Sequence, residues 1–174
     1  MGTVFIKVET EEDRAVLAKL ADEIWHEYWP ALIGEAQTDY MVEQFQSLKA
    51  INRDICEHSY EYWLLHDEED GRVVGYTGGH PEPETNRYFI SKIYLRAKER
   101  GHGFASQTIR FYEDICRTRG LSALYLTVNK GNELAIRAYI GKGFTTIDAV
   151  ETDIGEGYVM DDYIMEKQLD CLTS

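Results

Sequence analysis

The chain has 174 residues, of which 44% are hydrophobic, which is enough for one folded domain with a sizeable core. It carries 18 Lys and Arg against 31 Asp and Glu, a formal net charge of −13 at pH 7. This balance argues against nucleic acid as a partner, because binding a polyanion depends on clustered basic residues, and there is no long apolar or polybasic segment typical of a membrane protein.

The cysteines and the first residues indicate the compartment. Cys56, Cys116 and Cys171 are widely spaced, and none belongs to a metal-binding or C-x-x-C spacing. Their odd number argues against a disulfide framework and favours a reducing compartment. Residues 1–5 lack the basic region and long apolar stretch of a signal peptide. We therefore expect a cytoplasmic protein without a resident metal.

The N-terminal part is predicted as one strand and two helices. Residues 4–8 form a short strand, and Thr10 caps a helix whose first turn is acidic. Pro30 ends that helix. Residues 25–29 hold three large aromatic side chains, so either all three belong to the core or at least one lines a pocket. The second helix is predicted over residues 39–57.

A hairpin and the central strand follow. Residues 60–66 and 72–77 are predicted as antiparallel strands joined by a sharp turn. We predict residues 78–84 as a loop, because two glycines and two prolines are unsuited to a strand interior. Residues 88–95 form the central strand.

A glycine-rich turn connects the central strand directly to a helix. Residues 100–105 read R-G-H-G-F-A, and the small residues allow a ligand to approach the main chain. The first N–H groups of a helix lack internal partners and carry partial positive charge, so a phosphate would fit there, and Arg100 can add a charge-assisted contact. The spacing matches neither a P-loop nor G-x-G-x-x-G. By itself, such a turn either binds phosphate or only connects two elements.

The helix after the turn ends at Gly120, and residues 123–128 form an apolar strand buried on both faces. This strand–turn–helix–strand unit implies a right-handed parallel crossover. Asn132 begins a further short helix that ends near Gly141.

The last element is a hairpin of residues 145–150 and 158–169 around a loop at residues 151–157. The whole order predicts a single α/β domain with a mixed central sheet of about seven strands and helices on both faces.

Two ordered motifs resemble those of the GNAT N-acetyltransferases. Arg100, Gly103 and Ala105 occupy the fixed places of R-x-x-G-x-[G/A], the cofactor signature of that family. The pattern N-x-x-A-x-x-x-Y-x-x-x-G-F follows at about the distance that the family shows. Its fixed places are held by Asn132, Ala135, Tyr139, Gly143 and Phe144. The resemblance covers the strand order over most of the chain, but specific residues only within residues 93–144.

The resemblance implies acetyl-CoA as a cosubstrate. In the family the signature turn binds its pyrophosphate, the central pair of strands splays apart, and the pantetheine arm pairs with main chain of the first strand. The Leu95 N–H is then a partner for the thioester carbonyl. Asn132 contacts the pantetheine arm, caps its helix, or does both, and His102 contacts the cofactor or is solvated. The predicted cofactor-binding residues are Ile93, Tyr94, Leu95, Arg100, Gly101, His102, Gly103, Phe104, Ala105, Ser106 and Asn132.

Tyr139 is the predicted general acid. In the family this tyrosine stands beside the thioester sulfur, and a phenol with an ordinary pKa near 10 is protonated at neutral pH and can donate to a departing thiolate. No general base is assigned, because Ile90 and Ser91 stand where many relatives carry Glu. The remaining candidates, which would act through a water, are His26, His80, Glu82 and Glu84.

The acceptor is predicted to be a primary amine, most simply that of a small cationic molecule. Glu151, Asp153 and Glu156 fall in the predicted hairpin loop, which borders the acceptor site in the family, and Glu35 and Asp39 lie in the facing connection. Such carboxylates would attract an amine, although a solvated loop of an acidic protein has the same composition. Two alternatives stay open: a peptide or protein acceptor that docks on residues 25–29, and a non-catalytic acetyl-CoA sensor. A homodimer is also left open.

Overall fold

A computed structural model describes residues 2–169. Cys171, one of the three cysteines discussed above, lies outside these residues. The strands are β1 Thr3–Lys7, β2 Glu61–Asp67, β3 Val73–Glu82, β4 Arg87–Leu95, β5 Ala123–Asn129, β6 Thr145–Gly155 and β7 Tyr158–Gln168. The α-helices are α1 Glu11–Tyr28, α2 Pro30–Ile33, α3 Glu35–Met41, α4 Leu48–Glu57, α5 Phe104–Arg119 and α6 Glu133–Gly141. A π-helical turn, Val42–Gln46, and a 3₁₀ turn, Ala97–Glu99, complete the helical elements of the described residues.

The strands form one mixed sheet in the order β1-β2-β3-β4-β5-β7-β6. β4 and β5 are parallel, from Arg87 opposite Ala123 to Ile90 opposite Leu126, and both strands extend beyond this register. This confirms the predicted seven-stranded mixed sheet with helices on both faces.

The described residues group into two compact units. The first comprises residues 2–80 and Lys92–Thr108, and the second comprises Pro81–Ser91 and residues 109–169. The single domain inferred from the length stays a prediction.

The start of α1 follows the sequence prediction. The Thr10 hydroxyl accepts a hydrogen bond from the Asp13 N–H at 3.0 Å, and the Asp13 carboxylate accepts one from the Thr10 N–H at 3.1 Å. This reciprocal arrangement is a capping box, and it holds the pKa of Asp13 below its ordinary value through main-chain hydrogen bonds from Glu9 and Thr10. Pro30 ends α1 by opening α2 at its first position, where no N–H is needed.

The second predicted helix, residues 39–57, is wrong as one continuous element. The helical segment begins at Glu35, passes through the π-helical turn and is broken at Ser47, which has extended main-chain angles. The Ser47 hydroxyl accepts a hydrogen bond from the Ala50 N–H at 3.2 Å and so begins α4 as its N-cap. Apolar spacing continued across the break, so periodicity alone could not reveal it.

The predicted loop at residues 78–84 is also wrong, because β3 continues to Glu82. Gly78 and Gly79 pair with Tyr62 and Glu61 of β2. A Cβ atom on Gly78 would lie 2.6 Å from the Tyr62 ring, so the glycine makes room for a buried aromatic side chain on the neighbouring strand. The glycines therefore mark a close approach within the sheet, and the turn is confined to residues 83–86.

The final hairpin has a much shorter turn than predicted. β6 continues to Gly155, and Glu151 and Asp153 pair with Asp161 and Val159 of β7. Three successive residues with positive φ, from Gly155 at 94° through Glu156 at 54° to Gly157 at 80°, reverse the chain. Glu151 and Asp153 therefore lie on an exposed edge strand and not in a loop.

A buried polar cluster ties β4 to the helical segment in the first unit. The Lys92 ammonium donates to the Phe45 carbonyl at 2.7 Å and to the Tyr62 hydroxyl at 2.8 Å, and it lies 3.7 Å from the Asp54 carboxylate. Tyr62 in turn donates to Asp54 at 3.0 Å. Lys92 is 6% exposed, and its burial lowers the pKa of the ammonium to about 8, against the opposing effect of Asp54.

This lowered pKa predicts a pH-dependent contribution to stability. The unfolded chain keeps the Lys92 proton up to the ordinary lysine pKa of 10.5, whereas the folded chain releases it at about 8. Between these values the unfolded state binds more protons, so the contribution of Lys92 to the free energy of unfolding rises with pH. Across this window we expect the free energy of unfolding of wild type to rise relative to that of Lys92→Met, by at most about 1.4 kcal/mol per pH unit.

Urea unfolding of both proteins at several pH values within the window measures the gain. Lys49→Met is the matched control, since Lys49 is an exposed lysine of α4, and its difference from wild type should stay constant with pH. A pH-independent difference for Lys92→Met would show that the Lys92 pKa is ordinary.

Candidate active site

The glycine-rich turn lies between the 3₁₀ turn and α5. Gly101 and Gly103 have φ angles of 81° and 88°, so both need the left-handed conformation that favours glycine. Apart from the adjacent residues of the chain, no atom of the described residues lies within 4 Å of the position that a Cβ would take on either glycine, so the space above the turn is open. His102, between them, is exposed. The turn therefore presents main chain to its surroundings without obstruction by side chains.

The start of α5 provides N–H groups that the helix does not use. Its first main-chain hydrogen bond runs from the Gln107 N–H to the Gly103 carbonyl at 3.1 Å. The N–H groups of Phe104, Ala105 and Ser106 precede that bond and lie at the positive end of a helix of 16 residues. Phe104 is buried, whereas Ala105 and Ser106 are partly exposed. This arrangement can bind an anion such as a phosphate.

Both ends of the turn are held by packing. Phe104 belongs to a buried cluster with Leu65 and Val74, and Leu95, the last residue of β4, packs against the same cluster. Before the turn, the Arg72 guanidinium makes two hydrogen bonds to the buried Glu99 carboxylate, at 2.9 Å and 2.8 Å. These bonds hold the pKa of Glu99 below its ordinary value. The 3₁₀ turn is thus fixed to the β2–β3 hairpin.

Arg100 is placed by the aromatic end of α1. Its guanidinium lies over the Tyr28 ring, 4.5 Å from the ring centre, and is otherwise exposed to solvent. Trp25 and Trp29 are buried, at 2% and 8% exposure, and stack with their ring centres 5.2 Å apart. Of the three aromatic residues predicted as core or pocket, the two tryptophans are core. Tyr28 is partly buried beneath Arg100.

The end of β4 carries the three predicted main-chain residues, Ile93, Tyr94 and Leu95, which are all partly buried. The Tyr94 ring lies 5.3 Å from Trp25 and 5.4 Å from Tyr76, measured between ring centres. On β3, a Cβ atom on Gly75 would lie 2.3 Å from the Tyr94 carbonyl oxygen. Gly75 is therefore required for the close approach of main chain at this level of the sheet.

The second motif forms the helix α6. The Asn132 side chain accepts a hydrogen bond from the Ala135 N–H at 3.3 Å and caps the helix. The Tyr139 ring packs edge-on against Phe144, with ring centres 5.6 Å apart. Desolvation raises the pKa of the Tyr139 phenol to about 12, so the hydroxyl keeps its proton at neutral pH.

Two of the four candidates for the general base, His26 and Glu82, are held in hydrogen bonds with other protein groups. Both ring nitrogens of His26 lie beside oxygen atoms, at 2.6 Å from the Asp39 carboxylate and 2.8 Å from the Asp22 carbonyl. The hydrogen bond to Asp39, followed by that to Asp22, raises the pKa of His26, and a ring that donates from both nitrogens has no lone pair for a proton. The Glu82 carboxylate accepts a short hydrogen bond from Tyr125 and another from Thr85 at 3.0 Å. This geometry argues against His26 as a base.

The other two candidates lie in different surroundings. His80 is partly buried, with its ring centre 5.1 Å from that of Tyr60. Glu84 is exposed in the turn after β3. Of the strand positions that carry Glu in many relatives, Ile90 is buried and Ser91 is partly exposed.

Several supporting residues were missed from the sequence. Glu99 positions the turn before Arg100, Gly75 allows the approach to Tyr94, and Lys92 anchors β4. Tyr28, which supports Arg100, was among the aromatic residues predicted as core or pocket. The only available signal was unusual composition: an isolated glycine within a strand and a lysine within an apolar run.

In the described part of the chain no three His, Cys, Asp or Glu side chains are grouped so that they could hold a metal ion. Cys56 is an exposed free thiol, and burial raises the pKa of the Cys116 thiol to about 11. Within residues 2–169 no helix has both the length and the apolar character to cross a membrane.

Several solved structures with the same fold are acetyltransferases. PaiA N-acetyltransferase from Thermoplasma acidophilum, solved in complex with coenzyme A, is 19% identical with a TM-score of 0.77, over 97% of this chain and 100% of that chain. A chimera of the spermidine N-acetyltransferase SpeG from Vibrio cholerae and hSSAT is 19% identical with a TM-score of 0.68, over 97% and 96% of the two chains. Nourseothricin acetyltransferase is 23% identical with a TM-score of 0.56, over 63% and 65%.

Among curated protein sequences, none matches this chain significantly. Residues 21–144 match the sequence profile of the acetyltransferase (GNAT) family. This match spans the central strand, the glycine-rich turn and the second motif, and it agrees with the fold of the solved structures. The chain therefore belongs to the GNAT family of acetyltransferases, whose members are N-acetyltransferases with acetyl-CoA as cosubstrate.

Proposed function

We propose that this enzyme transfers the acetyl group of acetyl-CoA directly to the primary amine of a small molecule. The observation that carries the proposal is the open start of α5, where unpaired N–H groups follow two glycines with positive φ. The pyrophosphate binds there, on residues 101–106, and Arg100 adds a charge-assisted contact. The stacking of Arg100 on Tyr28 holds its guanidinium at the entrance of the turn.

The end of β4 then receives the rest of the cofactor. The main chain of Ile93, Tyr94 and Leu95 pairs with the pantetheine arm as an added strand would. The Leu95 N–H donates to the thioester carbonyl and stabilises the negative charge that develops on its oxygen. Asn132 caps α6 and contributes to the same arm. His102 is the least constrained of the proposed cofactor residues, since its side chain is exposed.

Tyr139 completes the chemistry as general acid. The neutral amine attacks the carbonyl carbon, the carbon–sulfur bond breaks, and the thiolate takes the phenol proton of Tyr139. The role requires a phenol that is protonated at neutral pH, which the ordinary tyrosine pKa near 10 already provides; desolvation raises the pKa of Tyr139 further, to about 12, and makes it a weaker proton donor. The proton that the amine loses passes to water, directly or through a base that we leave unassigned, and the Tyr139 phenolate takes up a proton from solvent before the next turnover.

The acceptor class follows from charge and from the accessible surfaces. A net charge of −13 favours the approach of a cationic amine, and one structural neighbour is a spermidine N-acetyltransferase chimera. The peptide alternative relied on residues 25–29 as a docking surface, but Trp25 and Trp29 are buried. We therefore favour a small amine over a peptide.

The cofactor site predicts that Gly103→Glu abolishes binding. The substitution places a carboxylate where the pyrophosphate binds and forces a side chain into positive φ, so we expect affinity for acetyl-CoA to fall roughly 100-fold or more. Calorimetry with acetyl-CoA measures this. Gly120→Glu is the matched control, since Gly120 also has positive φ, 73°, and open surroundings, but lies at the other end of α5. Equal affinity of a folded Gly103→Glu protein would refute the site.

The catalytic role of Tyr139 predicts a selective loss of turnover in Tyr139→Phe. The variant keeps the ring that packs on Phe144 but loses the proton donor, so kcat should fall about 100-fold while affinity for acetyl-CoA changes little. Tyr163→Phe, which removes another partly buried hydroxyl from the second unit, should keep full activity. If Tyr139→Phe is as active as wild type, another group supplies the proton. A parallel loss of activity and thermal stability would instead mark a packing residue.

A screen of acceptors tests the transfer itself. Release of CoA is followed with polyamines, aminoglycosides, amino acids and short peptides, and we expect turnover with small amines. Turnover with peptides alone would favour the protein-modifying alternative. Tight acetyl-CoA binding with no turnover on any amine would favour the sensor.

A further inference from the structure

An open, solvent-exposed cavity in the first unit has no lining residue in the glycine-rich turn. Its volume is about 630 Å³, within the range of small-molecule sites. The lining residues come from the π-helical turn, from the end of α4, from the residue before β2 and from β3. They are Phe45, Arg53, Asp54, His58, Tyr60 and His80.

The charged residues that line this cavity are Arg53 and Asp54, and a second cation lies behind them. Lys92 lies behind the lining, bonded to the Phe45 carbonyl and 3.7 Å from Asp54, while its ammonium is 5.9 Å from the centre of the Tyr60 ring. Two cations, Lys92 and Arg53, therefore accompany a single carboxylate. In a chain with a net charge of −13, a local excess of positive charge favours an anionic ligand.

Arg53 and His58 retain unused hydrogen-bonding groups. Arg53 Nη2 donates to the Gln44 carbonyl at 3.0 Å, and its Nε lies 3.9 Å from Asp54. Its other N–H groups have no hydrogen-bond partner within residues 2–169, and the same holds for the exposed ring of His58. Tyr62 and Lys92 contact Oδ2 of Asp54, and its Oδ1 faces Nε of Arg53 at 3.9 Å, which is beyond hydrogen-bond distance. A guanidinium held this way can bind a carboxylate through paired N–H groups.

The walls of the cavity indicate an organic anion and not an inorganic one. Phe45 and Tyr60 provide aromatic surface beside the basic groups, and Tyr60 stacks on Tyr62 with ring centres 5.8 Å apart. An apolar group would bury area against these rings while its carboxylate meets Arg53.

We propose that this cavity binds an organic carboxylate, with Arg53 and His58 as the groups that recognise its charge and Phe45 and Tyr60 as the surface that receives its apolar part. The carboxylate belongs either to the acceptor of the acetyl group or to a separate ligand of the enzyme. The binding itself does not depend on the proposed transfer reaction.

The test compares phenylacetate with phenylacetamide, its uncharged counterpart, by calorimetry on the full chain at low chloride. We expect phenylacetate to bind and phenylacetamide to bind at least about tenfold more weakly. Arg53→Gln should weaken the binding of phenylacetate roughly tenfold or more, since a charge-assisted contact is lost. His58→Gln, a change at an exposed side chain, should weaken it as well while leaving the melting temperature unchanged.

Lys49→Gln is the matched control, because it removes an exposed positive charge from the same helix outside the cavity, and it should bind phenylacetate like wild type. The proposal is overturned if phenylacetate does not bind, if phenylacetamide binds equally well, or if Lys49→Gln weakens binding as much as Arg53→Gln. These outcomes are read from binding, so they stand even if no amine is acetylated.

Steady-state kinetics separates the two sources of the carboxylate. If it belongs to the acceptor, phenylacetate competes with an amino acid acceptor, and Arg53→Gln raises KM for that acceptor with little change in kcat. If it belongs to a separate ligand, phenylacetate changes turnover of a polyamine, which has no carboxylate, and Arg53→Gln removes the effect.

Discussion

The packing of Leu95 and Phe104 against one buried cluster is the constraint on which the candidate active site depends. These residues are the last of β4 and the first of α5, so a shared contact with Leu65 and Val74 fixes both ends of the intervening turn. A turn anchored in this way can carry two glycines and an exposed histidine without losing its shape. The N–H groups at the start of α5 are then preorganised, and binding an anion there costs little ordering of the chain.

Polar groups, some exposed and some buried, also hold β4 and the turn before α5 in place. Arg72 fixes the 3₁₀ turn through the buried Glu99, and Tyr28 supports Arg100. Within the sheet, Gly75 allows main chain to approach the Tyr94 carbonyl, while Lys92 bonds β4 to the Phe45 carbonyl. Charged groups are rarely buried without a structural or functional reason, because desolvation is costly. Here the buried lysine is paired and hydrogen-bonded, and it accounts for how the π-helical turn is held beside the central strand.

The sequence predicted what depends on local chemistry and failed where distant contacts decide. The capping of α1 by Thr10, the β2–β3 hairpin and the turn before α5 follow from residue types within a few positions. The continuation of β3 through Gly78 depends on the ring of Tyr62, which is remote in sequence, and the break at Ser47 interrupts a helix whose apolar spacing continues. The length of β6 was missed because an exposed edge strand has no buried face and hence no alternating pattern. For the site, motif positions could be named in advance, but Gly75, Glu99 and Lys92 act through partners that only the folded chain brings near.

The distribution of charge connects the two proposals without making either depend on the other. Overall acidity favours a cationic amine, and the carboxylates expected to form a rim are arranged differently from the sequence prediction. Asp39 is bonded to His26, and Glu151 and Asp153 lie along an edge strand. Positive charge is concentrated instead around Arg53 and Lys92, next to aromatic surface. An acceptor that carries both an amine and a carboxylate would be attracted by the overall acidity of the protein and could also bind Arg53 in the cavity. A polyamine would be attracted by the overall acidity of the protein but has no carboxylate to bind Arg53, so the cavity would then bind a separate ligand.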